Sequence, residues 1–112
     1  MQIDIFPQEN YQLAVCNGLL DDDVKAAFDQ QIHPLIEQGG QRILFDLAGV
    51  PRANSNGIGQ LVMLVARANS QGNRMVFARA TPFLRAIARA TRLDSFLAFV
   101  DTVEEGSRHL RD

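Results

Sequence analysis

The sequence has one cysteine, no tryptophan and no long apolar run. A lone Cys16 cannot close an internal disulfide, and no cysteine–histidine spacing suggests a zinc site. A reducing, cytoplasmic compartment is therefore the expected address. The longest apolar stretch, Leu61 to Ala66, is far too short to span a bilayer, so no membrane insertion is expected. Met1 to Pro7 carries neither a basic n-region nor an apolar h-region, which argues against a signal peptide. What is present is an ordinary globular composition: 112 residues, 46% hydrophobic and 21% charged. That is enough for one domain, expected to occupy residues 1–112, and too little for a second independent core.

The formal net charge of −2 is a sum of unlike segments. Residues 1–40 set Lys25 against seven acids, a net −6. Residues 41–92 set eight arginines against Asp46, a net +7, and residues 93–112 carry a net −3. Such sectoring steers an acidic partner or a phosphate if the arginines share a face, and is bland if the segments neutralise each other on folding.

Hydrophobic spacing places the elements. Gln2–Phe6 and Tyr11–Asn17 read as a hairpin of two strands, with Pro7 ending the first and Gly18 closing the second. Asp21-Asp22-Asp23 supplies cap and first-turn acids for a helix. Val24, Ala27, Phe28, Ile32, Leu35 and Ile36 recur there at helical spacing; Pro34 bends or weakens its end and Gly39-Gly40 stops it. Ile43-Leu44-Phe45 and Met75-Val76-Phe77 read as buried strands. A helix is expected from about Ser55 to Asn69, and another from Thr81-Pro82 to about Thr91. Leu97–Val100 then gives a short strand, and Asp101 or Thr102 caps a terminal helix carrying Val103 and Leu110. The expected fold class is α/β, with a mixed, mostly parallel sheet of about five strands and about four helices.

Most candidate chemistries fail on spacing. The Asp21–Asp23 run diverges at a helix start and lacks a second ligand cluster, so no metal is expected. His33 follows Asp29 by four residues, the geometry of a surface ion pair, and His109 lies in a polar tail. Cys16 reads as a small buried hydrophobe. Gly57-Ile58-Gly59 lacks both the P-loop lysine and the third glycine of a dinucleotide fingerprint. No serine–histidine–aspartate triad assembles. Neither an enzyme nor a cofactor is indicated. Arg85, Arg89 and Arg92 form a stripe opposite Leu84, Ile87 and Ala88, but without interleaved aromatics and with an acidic pI of about 5.6, direct nucleic-acid binding is not expected.

The loop Val50–Gly59 is different. It sets the Ser55 hydroxyl between Asn54 and Asn56 at a helix start, where free N–H groups and the helix dipole favour negative charge. A phosphoryl group there adds about −1.5 to −2 charge units. Gly57 and Gly59 strip side chains from the first turn, which lets another protein's backbone come close. The same residues also fit a plain N-cap at Asn54 or Ser55 followed by an Asn56-Gly57 turn. On the helix itself Ile58, Leu61, Val62 and Val65 read as the inward stripe, with Met63 on the opposite side, where an exposed methionine suits an adaptable protein contact.

Asn-Ser-Asn-Gly-Ile-Gly after the strand resembles the Asp-Ser-Ser/Thr-Gly-Leu-Gly signature of STAS domains, in particular the bacterial anti-sigma factor antagonists. Gly18-Leu19-Leu20-Asp21 is similar to that family's Gly-x-Leu-Asp, and Thr81-Pro82 to Leu93 resembles its helix after the fourth strand. The resemblance implies that Ser55 is a phosphoacceptor for a partner anti-sigma serine kinase, with a phosphatase reversing the modification. It also implies that Asp21 is the acid near the phosphoacceptor and that Gly57, Ile58 and Gly59 form part of the partner surface; Asn54 and Asn56 beside Ser55, and Met63 from its place on the helix, complete the expected partner-binding residues. Asn54 stands where the family has aspartate and Asn56 where it has a second hydroxyl, removing a carboxylate that repels a phosphate and that a kinase could read. The alternative function is a non-phosphorylated STAS accessory subunit of a transporter ATPase or other signalling complex. A nucleotide binder using the Ser55 helix start is a third reading, and weak pairing with a second copy of the chain is a further partner expectation.

Overall fold

The computed structural model describes residues 1–111. Strands β1 (Gln2–Pro7), β2 (Gln12–Asn17), β3 (Arg42–Gly49), β4 (Arg74–Ala78) and β5 (Phe99–Val100) form one sheet in the order β1-β2-β3-β4-β5. β1 runs antiparallel to β2, with Gln2 opposite Asn17 and Pro7 opposite Gln12, and every other pair is parallel. This is the expected mixed, mostly parallel α/β sheet. Its period-two alternation divides the core between two faces. Ile43, Phe45, Leu47, Met75 and Phe77 point to one side, where they meet the helices before β5. Leu44, Val76, Ala78 and Val100 point to the other and are covered by the terminal helix through Leu110. Phe45 and Phe77, paired across β3 and β4, stack with ring centroids 4.9 Å apart.

Five helices accompany the sheet among the described residues: α1 (Val24–Gln31), α2 (His33–Gln38), α3 (Ser55–Ser70), α4 (Pro82–Ala90) and α5 (Val103–Arg111). The first amphipathic run does more than bend; it divides at Ile32. Pro34 has no N–H to offer the carbonyl of Gln30, so the chain restarts a turn from Ile32, whose carbonyl accepts from Leu35 at 3.0 Å and Ile36 at 3.1 Å. β5 is also shorter than expected: Leu97 is buried but lies outside the strand. On α3 the buried positions beyond Gly57 are Ile58, Leu61, Leu64 and Ala68, whereas Val62 and Val65 are half-buried at the flanks. The inward stripe is thus centred about 60° from where the Val62–Val65 reading puts it.

Arg92 lies beyond the end of α4, with φ 60°, and does not extend the helical arginine stripe. Thr102, rather than Asp101, caps α5 by accepting from the Glu105 amide at 3.0 Å. At the N-terminal ends of the parallel strands Asn73, 2% exposed, joins three elements. Its carbonyl accepts from the Gln41 amide at 2.8 Å, and its amide donates to Ile36 O at 3.0 Å and Ala68 O at 3.3 Å. A buried amide with all these partners fixes how α2 and α3 end against the sheet.

Candidate functional site

At the opposite end of the sheet, the β2–α1 and β3–α3 loops are joined by backbone hydrogen bonds. Leu20 N–H donates to Arg52 O at 3.0 Å, and Asn54 N–H donates to Leu20 O at 3.1 Å, making a short parallel bridge between Leu20 and Ala53. α3 begins directly beneath this bridge. Asn54 is its N-cap, in extended conformation, and its side-chain oxygen accepts the Gly57 amide at 2.8 Å. Gly57 is buried against the Leu20 carbonyl, with which any Cβ would overlap. The expectation that Gly57 clears space for another protein is therefore corrected: the backbone it admits is the chain's own. Ile58 is likewise fully buried in the core and offers no surface to a partner. Gly59, half-buried one turn along, has nothing within 4 Å of its virtual Cβ and does leave the surface bare.

Ser55 is exposed as the first residue of α3, and its hydroxyl has no hydrogen-bond partner among the described residues. It opens onto a shallow depression lined by Asp22, Asn56, Gly59, Gln60 and Met63, the last 60% exposed. The acid beside Ser55 is Asp22, where the family resemblance pointed to Asp21. Asp22 Oδ1 accepts from Asn54 Nδ2 at 3.2 Å and Asn56 Nδ2 at 2.9 Å. Asp21 instead turns inward on its own loop, accepting the Asp23 amide at 3.1 Å, and Asp23 makes no side-chain cap on α1. Asp22 and Gln60 are the site residues that sequence spacing missed, because only the fold brings the α1 loop against α3.

The arginines of the positive segment do not converge on Ser55. Arg79 makes a two-pronged pair with Asp46, at 2.9 and 2.6 Å. Arg85 reaches Asp101 at 3.1 Å, and Arg74 donates to the last carbonyls of α5, His109 O at 3.1 Å and Leu110 O at 3.3 Å. Arg52 lies over the Phe83 ring, 6.0 Å from its centroid. Arg67 donates to His33 Nδ1 at 2.8 Å, which leaves the His33 Nε2–H to face Asp29 Oδ1 at 3.3 Å. A new negative charge on Ser55 would therefore meet a carboxylate, Asp22, and not a guanidinium.

The remaining candidates resolve into structure. Burial, and secondarily the charge of Asp46, pushes the Cys16 thiol up to about 12, so it is a packed, protonated side chain. Burial also works against ionisation of Asp46, but the Arg79 hydrogen bonds, the Ala48 amide and the Arg79 charge together hold it below the usual carboxylate range. Among the described residues no three His, Cys, Asp or Glu side chains gather as a metal site, and no helix is long and apolar enough to cross a membrane.

Known proteins share this architecture. The sequence model of the family described as "Mlab, STAS domain" matches residues 11–101. The Thermotoga maritima protein TM1081 superposes with a TM-score of 0.86 at 17% identity, over 98% of this chain and 95% of that one. SpoIIAA, an anti-sigma factor antagonist solved in its unphosphorylated form, gives 0.77 at 17% identity over 97% and 96%. The murine anion transporter Slc26a9 contains the same fold as 18% of its chain, with a TM-score of 0.76 at 12% identity over 91% of this one. With its family model matched from β2 through β5, across both joined loops and α3, the chain belongs to the STAS domain family.

Proposed function

We propose that this STAS domain is a cytoplasmic, protein-binding regulatory module of the anti-sigma factor antagonist kind, switched at Ser55 by a partner serine kinase and reset by a phosphatase. The observation that carries the reading is the Ser55 hydroxyl: exposed, without a hydrogen-bond partner among the described residues, at the start of a helix whose next two turns offer bare Gly59 and exposed Met63. In this reading Asn54, Asn56, Gly59 and Met63 touch the partner, while Asp22 in place of Asp21 sets the local charge. Phosphorylation adds about −1.5 to −2 charge units beside Asp22. The helix dipole and the free first-turn N–H groups favour the phosphate, so the fold persists. The repulsion falls instead on the Asp22–Asn54–Asn56 surface that the partner reads. Incubation with the cognate kinase and ATP should add one phosphate, located by mass spectrometry at Ser55, and Ser55→Asp should abolish stoichiometric binding with little change in unfolding. An unmodified Ser55 overturns the switch.

A second reading is favoured by one observation: a carboxylate already stands beside Ser55, so the unmodified surface is itself acidic and amide-rich. A STAS subunit docked permanently on a transporter ATPase needs no more than that. Co-purification with a transport complex, undiminished by Ser55→Ala, would select this reading over the phosphoswitch.

A further inference from the structure

The Ser55 depression does not end at Met63. It continues between α1 and α3 into a groove lined by Lys25, Asp29, His33, Gln60, Met63 and Arg67, so that Gln60 and Met63 belong to both. Along it Ser55, Gly59, Met63 and Arg67 recur every fourth residue, forming one ridge of α3 about 18 Å long. The ridge carries an acid at one end and a base at the other. Asp22, beside Ser55, accepts only from two neutral amides and has no cation partner among the described residues. Arg67 donates to His33 Nδ1 and lies near enough to Asp29 to act on its charge, but makes no carboxylate pair among the described residues. Between the ends, Lys25 and Asp29 neutralise each other at 2.8 Å. At the centre a protruding methionine follows a bare glycine by one turn.

This pattern is complementary to itself. We propose that a second copy of the chain docks on this ridge about a two-fold axis midway between Gly59 and Met63. Met63 of each copy then fills the gap over Gly59 of the other, and Arg67 of each copy meets Asp22 beside Ser55 of the other. Laying the two fourth-residue ridges antiparallel across this axis sets the α3 axes at about −50° to each other. The second copy thereby supplies to Ser55 the guanidinium that the chain's own fold directs elsewhere. The dimer covers the face assigned above to the partner, but needs neither that partner nor any modification of Ser55, so its failure would leave that reading standing.

Sedimentation velocity on the isolated chain over a concentration series reads the association directly. The wild type should pass from monomer to dimer as concentration rises. Asp22→Arg and Arg67→Glu should each weaken self-association by about tenfold or more, since each single variant sets like charges together at both symmetric contacts. An equimolar mixture of the two single variants should recover association, because in that heterodimer both contacts are again of opposite sign. Met63→Glu, at a position outside the core, should abolish the dimer while leaving thermal unfolding unchanged. A wild type that stays monomeric, single variants that associate normally, a mixture that fails to recover, or a dimer that survives Met63→Glu each overturns the proposal.

Discussion

Helices α3 and α4 start alike and finish their starts differently. Each follows a buried parallel strand through a short loop, and each has a polar side chain closing its first turn: Asn54 on the Gly57 amide at 2.8 Å, Thr81 on the Leu84 amide at 3.3 Å. The α4 start is then closed by its own chain. The Thr81 hydroxyl turns inward to donate to Val50 O at 3.4 Å, Pro82 removes a free N–H, and Phe83 lies under Arg52. At α3 the cap's amide points outward to Asp22, the next residue carries a hydroxyl with no partner among the described residues, and bare Gly59 lies one turn on. The Asp46–Arg79 pair ties the roots of the two loops together. An open surface is thus mounted on a tightly fixed base, rigidity and accessibility separated by less than one helical turn.

The strongest way to break this contrast is at Gly57. Gly57→Ala drives a Cβ into the Leu20 carbonyl, a backbone atom that cannot move without opening the bridge between the loops. A loss of about 3 kcal/mol is expected in urea unfolding, at the upper end of overpacking costs. Gly59→Ala, two residues on and facing open space, should instead raise stability by up to about 1 kcal/mol through helix propensity. Equal effects at the two glycines would mean that the base of the site is not fixed by Leu20.

Next in size is the tie between the two starts. Asp46→Asn leaves the Arg79 guanidinium without its charge partner and should cost about 1–2 kcal/mol near neutral pH, reduced because Arg79 is half exposed. The folded-state pKa of Asp46 is depressed, so its contribution is fully present above the unfolded value of about 3.9 and is lost as pH falls through the lower folded value. The gap between wild type and Asp46→Asn should therefore narrow below about pH 4. A gap independent of pH would remove the pair as the link. Smaller again, Thr81→Ala should cost about 1 kcal/mol by loss of its cap, measured by thermal unfolding, with no effect on binding at the α3 face.

Most of this frame was legible in the sequence because proline, glycine and hydrophobic period punctuate it: the hairpin, the strand–helix alternation and the loop before Ser55 all carry local signals. What was illegible depends on contacts between distant segments. Asp21 and Asp22 are neighbours with the same chemistry, and only the bridge from Leu20 to Ala53 decides which faces α3. Gly57 reads as a turn residue, yet its reason is a carbonyl on another loop. Eight arginines in one sequence block suggest a basic face, but alternate strand and helix directions send Arg67, Arg74, Arg79 and Arg85 to four different partners. Asn73, after a glycine, looks like any turn asparagine and is in fact the buried joint of three elements.

The smallest change tests the open start most finely. Asn54 has two tasks: its oxygen caps Gly57 and its nitrogen donates to Asp22. Asn54→Asp keeps the first, since a carboxylate accepts the same N–H and is favoured by the helix dipole. It loses the second and sets two carboxylates against each other beside Ser55. These effects oppose, so unfolding should shift by only about 0.5 kcal/mol at moderate salt. Their ranges differ, however. The cap hydrogen bond is short and insensitive to ions, whereas repulsion between exposed carboxylates grows as salt is removed. Asn54→Asp should therefore fall further below wild type at low ionic strength, and adding Asp22→Asn should abolish that salt dependence. If the single variant's stability ignores salt, Asp22 is not coupled to the cap, and the α3 start is no more electrostatically exposed than that of α4.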